Sequence, residues 1–231
     1  TTGNVGDWTK INGAAIADGG SGGSLSWAVP DVISTTMRIR VQDNADVDTN
    51  DDSSLFTVRA GLKLTSPIGG EKWGVSGGVP AALKTISWQT NGTLGLVNLE
   101  YSVGGGWIPI GVNPQANAGS VAWDVPNNLS STVKVRVMNG GAGPAVQSIS
   151  PADFKIMARF DVTQPDGGET ALAGLDYAVN WNYWGSATNV KIDLATDALP
   201  AQACSSSYTY DKEITPSILA SLLTTGTSWI V

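Results

Sequence analysis

Residues 62–73 read Leu-Lys-Leu-Thr-Ser-Pro-Ile-Gly-Gly-Glu-Lys-Trp, and this stretch decides the fold because the chain repeats it. Ninety-eight residues later, residues 162–169 read Val-Thr-Gln-Pro-Asp-Gly-Gly-Glu. Each copy has alternating apolar residues, then a proline, then Gly-Gly-Glu, and a strand-like segment with a tryptophan follows. Self-similarity over such a long period is typical of a chain built from stacked copies of one structural unit. The sequence therefore predicts tandem repeats.

A second motif sets the boundaries of the repeats. Residues 25–31 read Leu-Ser-Trp-Ala-Val-Pro-Asp, residues 121–127 read Val-Ala-Trp-Asp-Val-Pro-Asn, and residues 227–231 read Thr-Ser-Trp-Ile-Val. Aligning both motifs predicts three segments, which are the C-terminal half of one repeat (1–60), a complete repeat (61–158) and the N-terminal part of a third (159–231).

The two incomplete copies would each expose side chains of the core type, such as Trp27 and Trp181. Burying a large apolar side chain contributes roughly 1.5–3 kcal/mol, so a free half-repeat is costly. We therefore expect a longer tandem array. The alternative is that strands from a neighbouring chain complete the open halves, as in donor-strand polymers.

Nearly every segment alternates apolar and polar residues with a period of two, which is typical of half-buried strands. Seven such segments in one complete repeat, with turn-rich connections, predict an all-β fold of tandem immunoglobulin- or fibronectin-III-like seven-stranded β-sandwiches. Residues 215–223 are the exception, since Thr215 suits a helix cap, Pro216 suits the first helical position, and the apolar spacing is helical. We predict one short helix there.

Composition excludes several classes of function. The chain has no histidine, which removes the commonest general base and metal ligand, and we expect no catalytic activity. A net charge of −7 argues against nucleic acid as a partner. No apolar run is long enough to span a membrane. The single cysteine, Cys204, either pairs with a thiol elsewhere or stays free.

The boundaries between copies carry no flexible spacer. Apolar residues alternate without a break from Phe154 to Val162, and again from Phe56 to Leu64. No Gly/Ser-rich or Pro-rich linker intervenes, so the orientation of one repeat is expected to constrain the next.

Taken together, the motifs resemble a family of bacterial and archaeal cell-surface repeats, and they are similar to the Ser/Thr-rich, GPI-anchored fungal cell-wall domain. The resemblance implies an extracellular, non-catalytic β-sandwich and no particular ligand. The third copy departs from the pattern, because Ala171 stands where Trp73 does and an insertion around Cys204 replaces the Gly-Gly-x-Trp turn. The residues that carry the match are Pro67, Gly69, Gly70, Glu71, Trp73, Ile86, Trp88, Leu99, Tyr101, Ser102, Trp107, Trp123, Val125, Pro126, Val135, Arg136 and Val137.

Two sets of carboxylates are candidate functional groups. Glu71 and Glu169 recur after Gly-Gly, where a hydrogen bond that stabilises the turn is favoured over a ligand or general-acid role. The acidic run of residues 43–53 has oxygen ligands at alternate positions, which suits Ca²⁺, although it lacks the glycine and closing glutamate of an EF-hand. A solvated acidic loop and a Ca²⁺ site both stay open. The candidate ligands are Asp43, Asp46, Asp48 and Asp52.

The nine tryptophans raise a second candidate site, since exposed aromatic faces stack on sugar rings. Those in strand patterns are predicted core residues: Trp27, Trp88, Trp123, Trp181 and Trp229. Trp8 and Trp107 recur at one turn and are predicted to close the edge of the sandwich. The candidates for sugar binding are Tyr183 and Trp184 in a turn, with Tyr208 and Tyr210 in the insertion. Two glycosylation sequons lie in loops, at residues 91–93 and 128–130.

The sequence therefore predicts a non-catalytic structural segment of a long extracellular or cell-surface protein, such as a stalk, filament shaft or adhesin spacer. Its expected partners are neighbouring repeats or other copies of itself. The alternative is a carbohydrate-binding array of a secreted enzyme or adhesin, whose partner is a cell-surface glycan.

Overall fold

The computed structural model describes residues 8–14, 16, 20 and 22–194, together with the backbone of the strands at residues 212–219 and 227–230. Among these residues, the regular secondary structure is all strand, apart from one 3₁₀ turn at Pro80–Ala82. The predicted all-β class is confirmed, and the arrangement of several sheets is consistent with a β-sandwich.

The strands are short and follow one another closely along the chain. They are β1 (Ser34–Met37), β2 (Arg40–Gln42), β3 (Asn50–Asp52), β4 (Phe56–Val58), β5 (Gly61–Ser66), β6 (Lys72–Gly74), β7 (Lys84–Asn91), β8 (Leu96–Ser102), β9 (Ile108–Pro109), β10 (Gln115–Ala116), β11 (Ser120–Trp123), β12 (Ser130–Asn139), β13 (Gln147–Ile149), β14 (Phe154–Met157), β15 (Arg159–Gln164), β16 (Asp176–Trp184), β17 (Asn189–Leu194), β18 (Lys212–Leu219) and β19 (Thr227–Ile230).

The chain divides into two compact units that interleave along the sequence. The first comprises Thr1–Glu71, Thr85–Trp123 and Thr132–Phe154, and the second comprises Lys72–Lys84, Asp124–Ser131 and Lys155–Val231. This division does not follow the repeat boundaries at residues 60 and 158, which stay a prediction.

Antiparallel pairing organises the first unit. β7 lies between β5 and β11, with Leu64 opposite Trp88. β8 pairs with β12, with Tyr101 opposite Val135, and also pairs with β9 and β10. β13 adds to β12, and two small ribbons are formed by β1 with β4 and by β2 with β3.

In the second unit, β6 and β14 pair in parallel, with Trp73 opposite Ile156. β16 lies between β15 and β19, and β17 pairs with β18.

The period-two pattern explains the core of the middle copy. Alternate residues of β8 and β12 are fully buried, and the rings of Tyr101 and Trp123 lie 5.2 Å apart between centroids. Trp88 and Trp123 are buried as predicted, whereas Trp27 and Trp181 are only half-buried, and the side chain of Trp229 lies outside the described residues. The fully buried residues on these two strands are Val97, Leu99, Val133, Val135 and Val137.

The helix predicted at residues 215–223 is wrong where the structure describes it, because residues up to Leu219 belong to strand β18. Residues 220–223 lie outside the described part. Ile214, Thr215 and Ile218 are β-branched and suit a pleated strand. Pro216 lies where the register with β17 shifts, so its missing N–H interrupts no regular ladder.

Candidate functional site

The Gly-Gly-Glu turn is built identically in two copies. Glu71 accepts hydrogen bonds from the backbone N–H groups of Ile68 and Gly69, both at 2.7 Å. Glu169 accepts them from Asp166 at 2.7 Å and Gly167 at 2.6 Å. Both carboxylate oxygens are therefore engaged by the backbone, which confirms the predicted turn-stabilising role.

The backbone of these turns matches as closely as the hydrogen bonds do. Gly69 and Gly70 have φ values of +113° and +82°, and Gly167 and Gly168 have +119° and +80°. Only glycine adopts such values readily. The pKa of Glu169 lies below its ordinary value because the N–H of Asp166, followed by those of Glu169 and Gly167, donates to the carboxylate.

Near the first predicted boundary between copies, the aspartate that follows Trp-Ala-Val-Pro binds the backbone and side chain of Thr93. Asp31 accepts a hydrogen bond from the N–H of Thr93 at 2.8 Å and another from the Thr93 hydroxyl at 2.5 Å. Gly92 allows this close approach, since a Cβ there would lie 2.9 Å from an Asp31 carboxylate oxygen and 3.6 Å from the Cα of Ala60.

The second junction repeats the arrangement. Asn127 accepts a hydrogen bond from the N–H of Ser186 at 3.0 Å and donates one to the Ser186 hydroxyl at 2.7 Å. A Cβ at Gly185 would lie 3.0 Å from the Cα of Ala158. Asn127 follows Trp-Asp-Val-Pro as Asp31 follows Trp-Ala-Val-Pro.

We call this arrangement the junction latch: Asp31 with Gly92 and Thr93 at the first junction, and Asn127 with Gly185 and Ser186 at the second. Each latch lies within one compact unit. The latch was not predicted, although its signal is present in the sequence as Asp/Asn after Val-Pro and as Gly-Thr/Ser after the tryptophan strand. At the first junction the hydroxyl of the predicted sequon is the group that binds Asp31.

The second junction has an additional contact. The guanidinium of Arg159 lies 3.5 Å from the ring centroid of Trp184 and donates to the backbone carbonyls of Val75 and Ser76, both at 3.2 Å. The edge of the Trp184 ring fills the space beside Gly77, where a Cβ would lie 2.1 Å from Trp184 Cδ1. Cation–π stacking combined with hydrogen bonds from one guanidinium gives a contact of defined geometry.

An arginine also covers each of the two tryptophans predicted to close the sandwich edge. Arg40 lies 4.3 Å from the ring centroid of Trp8, and Arg136 lies 4.2 Å from that of Trp107. Each arginine is held by a carboxylate, because Arg40 pairs with Asp52 and Arg136 with Glu100.

The four candidate Ca²⁺ ligands are not brought together. Asp43 accepts from the N–H of Ala45, and Asp46 accepts from the N–H of Asp48 and the hydroxyl of Thr49. Asp52 forms a bidentate pair with Arg40, which lowers the pKa of the Asp52 carboxyl. Within the described part of the chain, no group of three or more metal-ligating side chains is placed to hold an ion.

Two of the four candidate sugar-binding residues, Tyr183 and Trp184, lie elsewhere than predicted. Tyr183 and Trp184 are at the end of strand β16 rather than in a turn. Tyr183 is 42% exposed and stacks with Phe160 at a centroid distance of 6.2 Å, and Arg159 covers one face of Trp184. Tyr208, Tyr210 and Cys204 lie outside the described residues.

Comparison with known proteins finds no family model that matches this chain and no curated protein that matches it. Among the described residues, no helix has the length and apolar character needed to cross a membrane.

The latch predicts a specific acid response. The pKa of Asp31 lies below its ordinary value of 3.8, first because the Thr93 hydroxyl donates to the carboxylate and then because the Thr93 N–H does. A lowered folded-state pKa gives stabilisation that is fully present above pH 3.8 and is lost as the pH falls through the folded value. We expect the Thr93 amide resonance to shift with that acid titration in the native chain.

The matched variant is Asp31→Asn, which places at the first junction the side chain that the second junction uses. It keeps the acceptor oxygen but has no titrating proton, so the latch is expected to persist and the acid shift at Thr93 to vanish. An unchanged acid shift in the variant would show that another group controls this junction.

Proposed function

We propose that this chain is a non-catalytic structural segment of a long extracellular or cell-surface protein, serving as a stalk, filament shaft or adhesin spacer. Its repeats are seven-stranded sandwiches of the immunoglobulin or fibronectin-III type, like those of the cell-surface family that its motifs resemble. The observation that carries the proposal is the junction latch, which recurs with chemically similar residues: Asp31 with Thr93 and Asn127 with Ser186.

The connections at the junctions favour a fixed arrangement of neighbouring copies. β4 ends at Val58 and β5 begins at Gly61, and β14 ends at Met157 and β15 begins at Arg159. Such connections have no slack, unlike Gly/Ser-rich linkers, which behave as flexible coils. The latch side chains are short and lose little conformational freedom when they are held. Short connections and latch contacts recur at both junctions. This recurrence suits a spacer, because the length of a spacer depends on each copy fixing the orientation of the next.

The contacts of the aromatic residues favour this role over carbohydrate binding. A sugar platform needs an accessible ring face, whereas Trp184 stacks under Arg159 and lies against Gly77 in the second junction. The experiment that tests the structural role asks whether neighbouring copies hold one orientation in solution. A broad range of orientations would contradict it.

A further inference from the structure

A small pocket lies beside the second junction, and we call it the junction pocket. All of its lining residues belong to the second compact unit. Its volume of about 210 Å³ is below the roughly 300–1,000 Å³ of pockets that enclose drug-sized ligands, so it suits a single small unit. The lining residues are Gly74, Val79, Ala81, Ala82, Lys84 and Arg159.

The wall of the junction pocket is held by hydrogen bonds from a buried side chain. The 3₁₀ turn Pro80–Ala82 forms part of this wall. The hydroxyl of Ser76, which is 0% exposed, donates to the carbonyl of Ala82 at 2.9 Å and accepts from the N–H of Val125 at 3.1 Å. On the opposite side Arg159 passes over Gly74, where a Cβ would lie 3.1 Å from the Cβ of Arg159. The pocket is therefore formed before any ligand arrives.

Two half-buried cations line the junction pocket, Lys84 and Arg159. Within the described part of the chain, neither one pairs with a carboxylate. Arg159 uses Nε and Nη2 to donate to two backbone carbonyls, and a guanidinium carries five N–H donors in all, so donors remain for a ligand. Ammonium and guanidinium groups form charge-assisted hydrogen bonds with carboxylates. The pocket therefore favours a ligand that carries a negative charge.

The backbone beside the pocket argues against a peptide as the source of that charge. The carbonyls of Val75 and Ser76 already accept from Arg159, and their N–H groups donate to the carbonyls of Met157 and Val125. A peptide that binds by strand addition needs free groups of this kind. The short apolar side chains in the wall suit the C–H face of a sugar ring instead.

The first junction indicates that the remainder of a repeat leaves this position clear. Gly61 is the counterpart of Arg159, since both lie two residues before the apolar residue that precedes the turn motif by the same spacing. Although the middle copy includes its back half, of the described residues only Asn91 lies within 4 Å of the Cβ position of Gly61. Because the first junction has glycine in place of the arginine, the charged pocket is particular to the second junction.

We propose that the junction pocket binds one uronate unit of an anionic polysaccharide. The carboxylate pairs with Lys84 and Arg159, and one C–H face of the sugar ring lies against the apolar wall. This inference rests on the extracellular location in the proposed function and adds a ligand to the structural role. It requires no exposed aromatic face, because Trp184 stacks on Arg159 and positions the guanidinium.

The test is a titration of the 231-residue chain with glucuronate, followed by the amide resonances of Ala81 and Ala82 at constant ionic strength. Saturable shifts are expected with glucuronate, weaker binding with acetate, and none with neutral glucose. Absence of saturable shifts with glucuronate would overturn the proposal. Equal binding of glucose would overturn the role of the charge, and equal binding of acetate or inorganic phosphate would overturn the assignment to a sugar acid.

Lys84→Gln is expected to weaken glucuronate binding by about tenfold, because it removes one of the two charge-assisted partners. Lys63→Gln is the matched control, since Lys63 is an exposed lysine of β5 in the first compact unit and its loss changes the net charge equally. It is expected to bind like the native chain, and both variants are expected to retain the native near-ultraviolet circular dichroism. Native affinity in folded Lys84→Gln would overturn the proposal. A failure to bind would leave the orientation of neighbouring copies untouched, and that orientation tests the structural role separately.

Discussion

Replacing Trp123 by alanine is expected to lower the free energy of unfolding of the middle repeat by about 3–5 kcal/mol, the usual cost of truncating a large buried aromatic residue. Trp123 is 5% exposed and its ring lies 5.2 Å from that of Tyr101, so alanine would leave a cavity between two strands. Urea denaturation, followed by the fluorescence of the remaining tryptophans, measures the loss.

The repeat supplies its own control in Trp27, which occupies the same place in the Trp-x-Val-Pro motif. Trp27 is only half-buried, so Trp27→Ala is expected to cost less than about 1.5 kcal/mol. Equal losses for the two variants would contradict the difference in burial between the first and middle copies.

Gly69→Ala is the second large effect, with an expected loss of about 2–4 kcal/mol from backbone strain and overpacking together. Gly69 has a φ of +113°, and a Cβ there would lie 2.3 Å from the Cβ of Ala152 and 2.8 Å from its backbone carbonyl carbon. Neither backbone segment moves without disturbing the hydrogen bonds from the turn to Glu71. Scanning calorimetry measures the fall in melting temperature of the middle repeat.

Gly167→Ala separates the effect of backbone strain from that of overpacking. Gly167 has a φ of +119° in the equivalent turn, but nothing lies within 4 Å of its Cβ position. The Gly167→Ala variant is expected to lose about 1–2 kcal/mol of unfolding free energy, from backbone strain alone. If Gly69→Ala destabilised the chain no more than Gly167→Ala does, the close approach of Ala152 would have no energetic consequence.

The strands of the middle copy were predictable because both of its halves are present. Alternation at Val97, Leu99 and Tyr101 places one face of β8 inwards, and the structure buries that face. The same alternation in the first copy leaves Val41 exposed, since burial depends on what lies opposite and not on the pattern itself. The helix prediction for residues 215–219 was wrong for a related reason. The spacing of apolar residues is local information, whereas pairing with β17 depends on residues distant along the chain.

The candidate functional residues also include some that could be predicted from the sequence and some that could not. Glu71 and Glu169 were predictable because each carboxylate acts on backbone two or three residues away, within the recurring motif. The junction latch was not, because Asp31 and Thr93 are 62 residues apart and both are exposed polar residues with no periodicity. Only the recurrence of both latch partners in the next copy distinguishes these residues from other exposed polar residues.

The junction latch is expected to hold neighbouring copies in one arrangement, and distance measurement by electron spin resonance tests this most directly. Spin labels at Thr35 in the first copy and Val112 in the middle copy would occupy exposed sites within one compact unit. A Cys204→Ser background avoids stray labelling. The reference pair is Val112 with Ile149, both inside the middle copy.

If the junction is fixed, a single distance distribution is expected between Thr35 and Val112, as narrow as that of the reference pair. Asp31→Ala is expected to broaden it without affecting the reference pair, because the variant removes both hydrogen bonds to Thr93. A broad or multiple distribution in the native junction, beside a narrow one within the middle copy, would mean that the copies are hinged and would contradict the account.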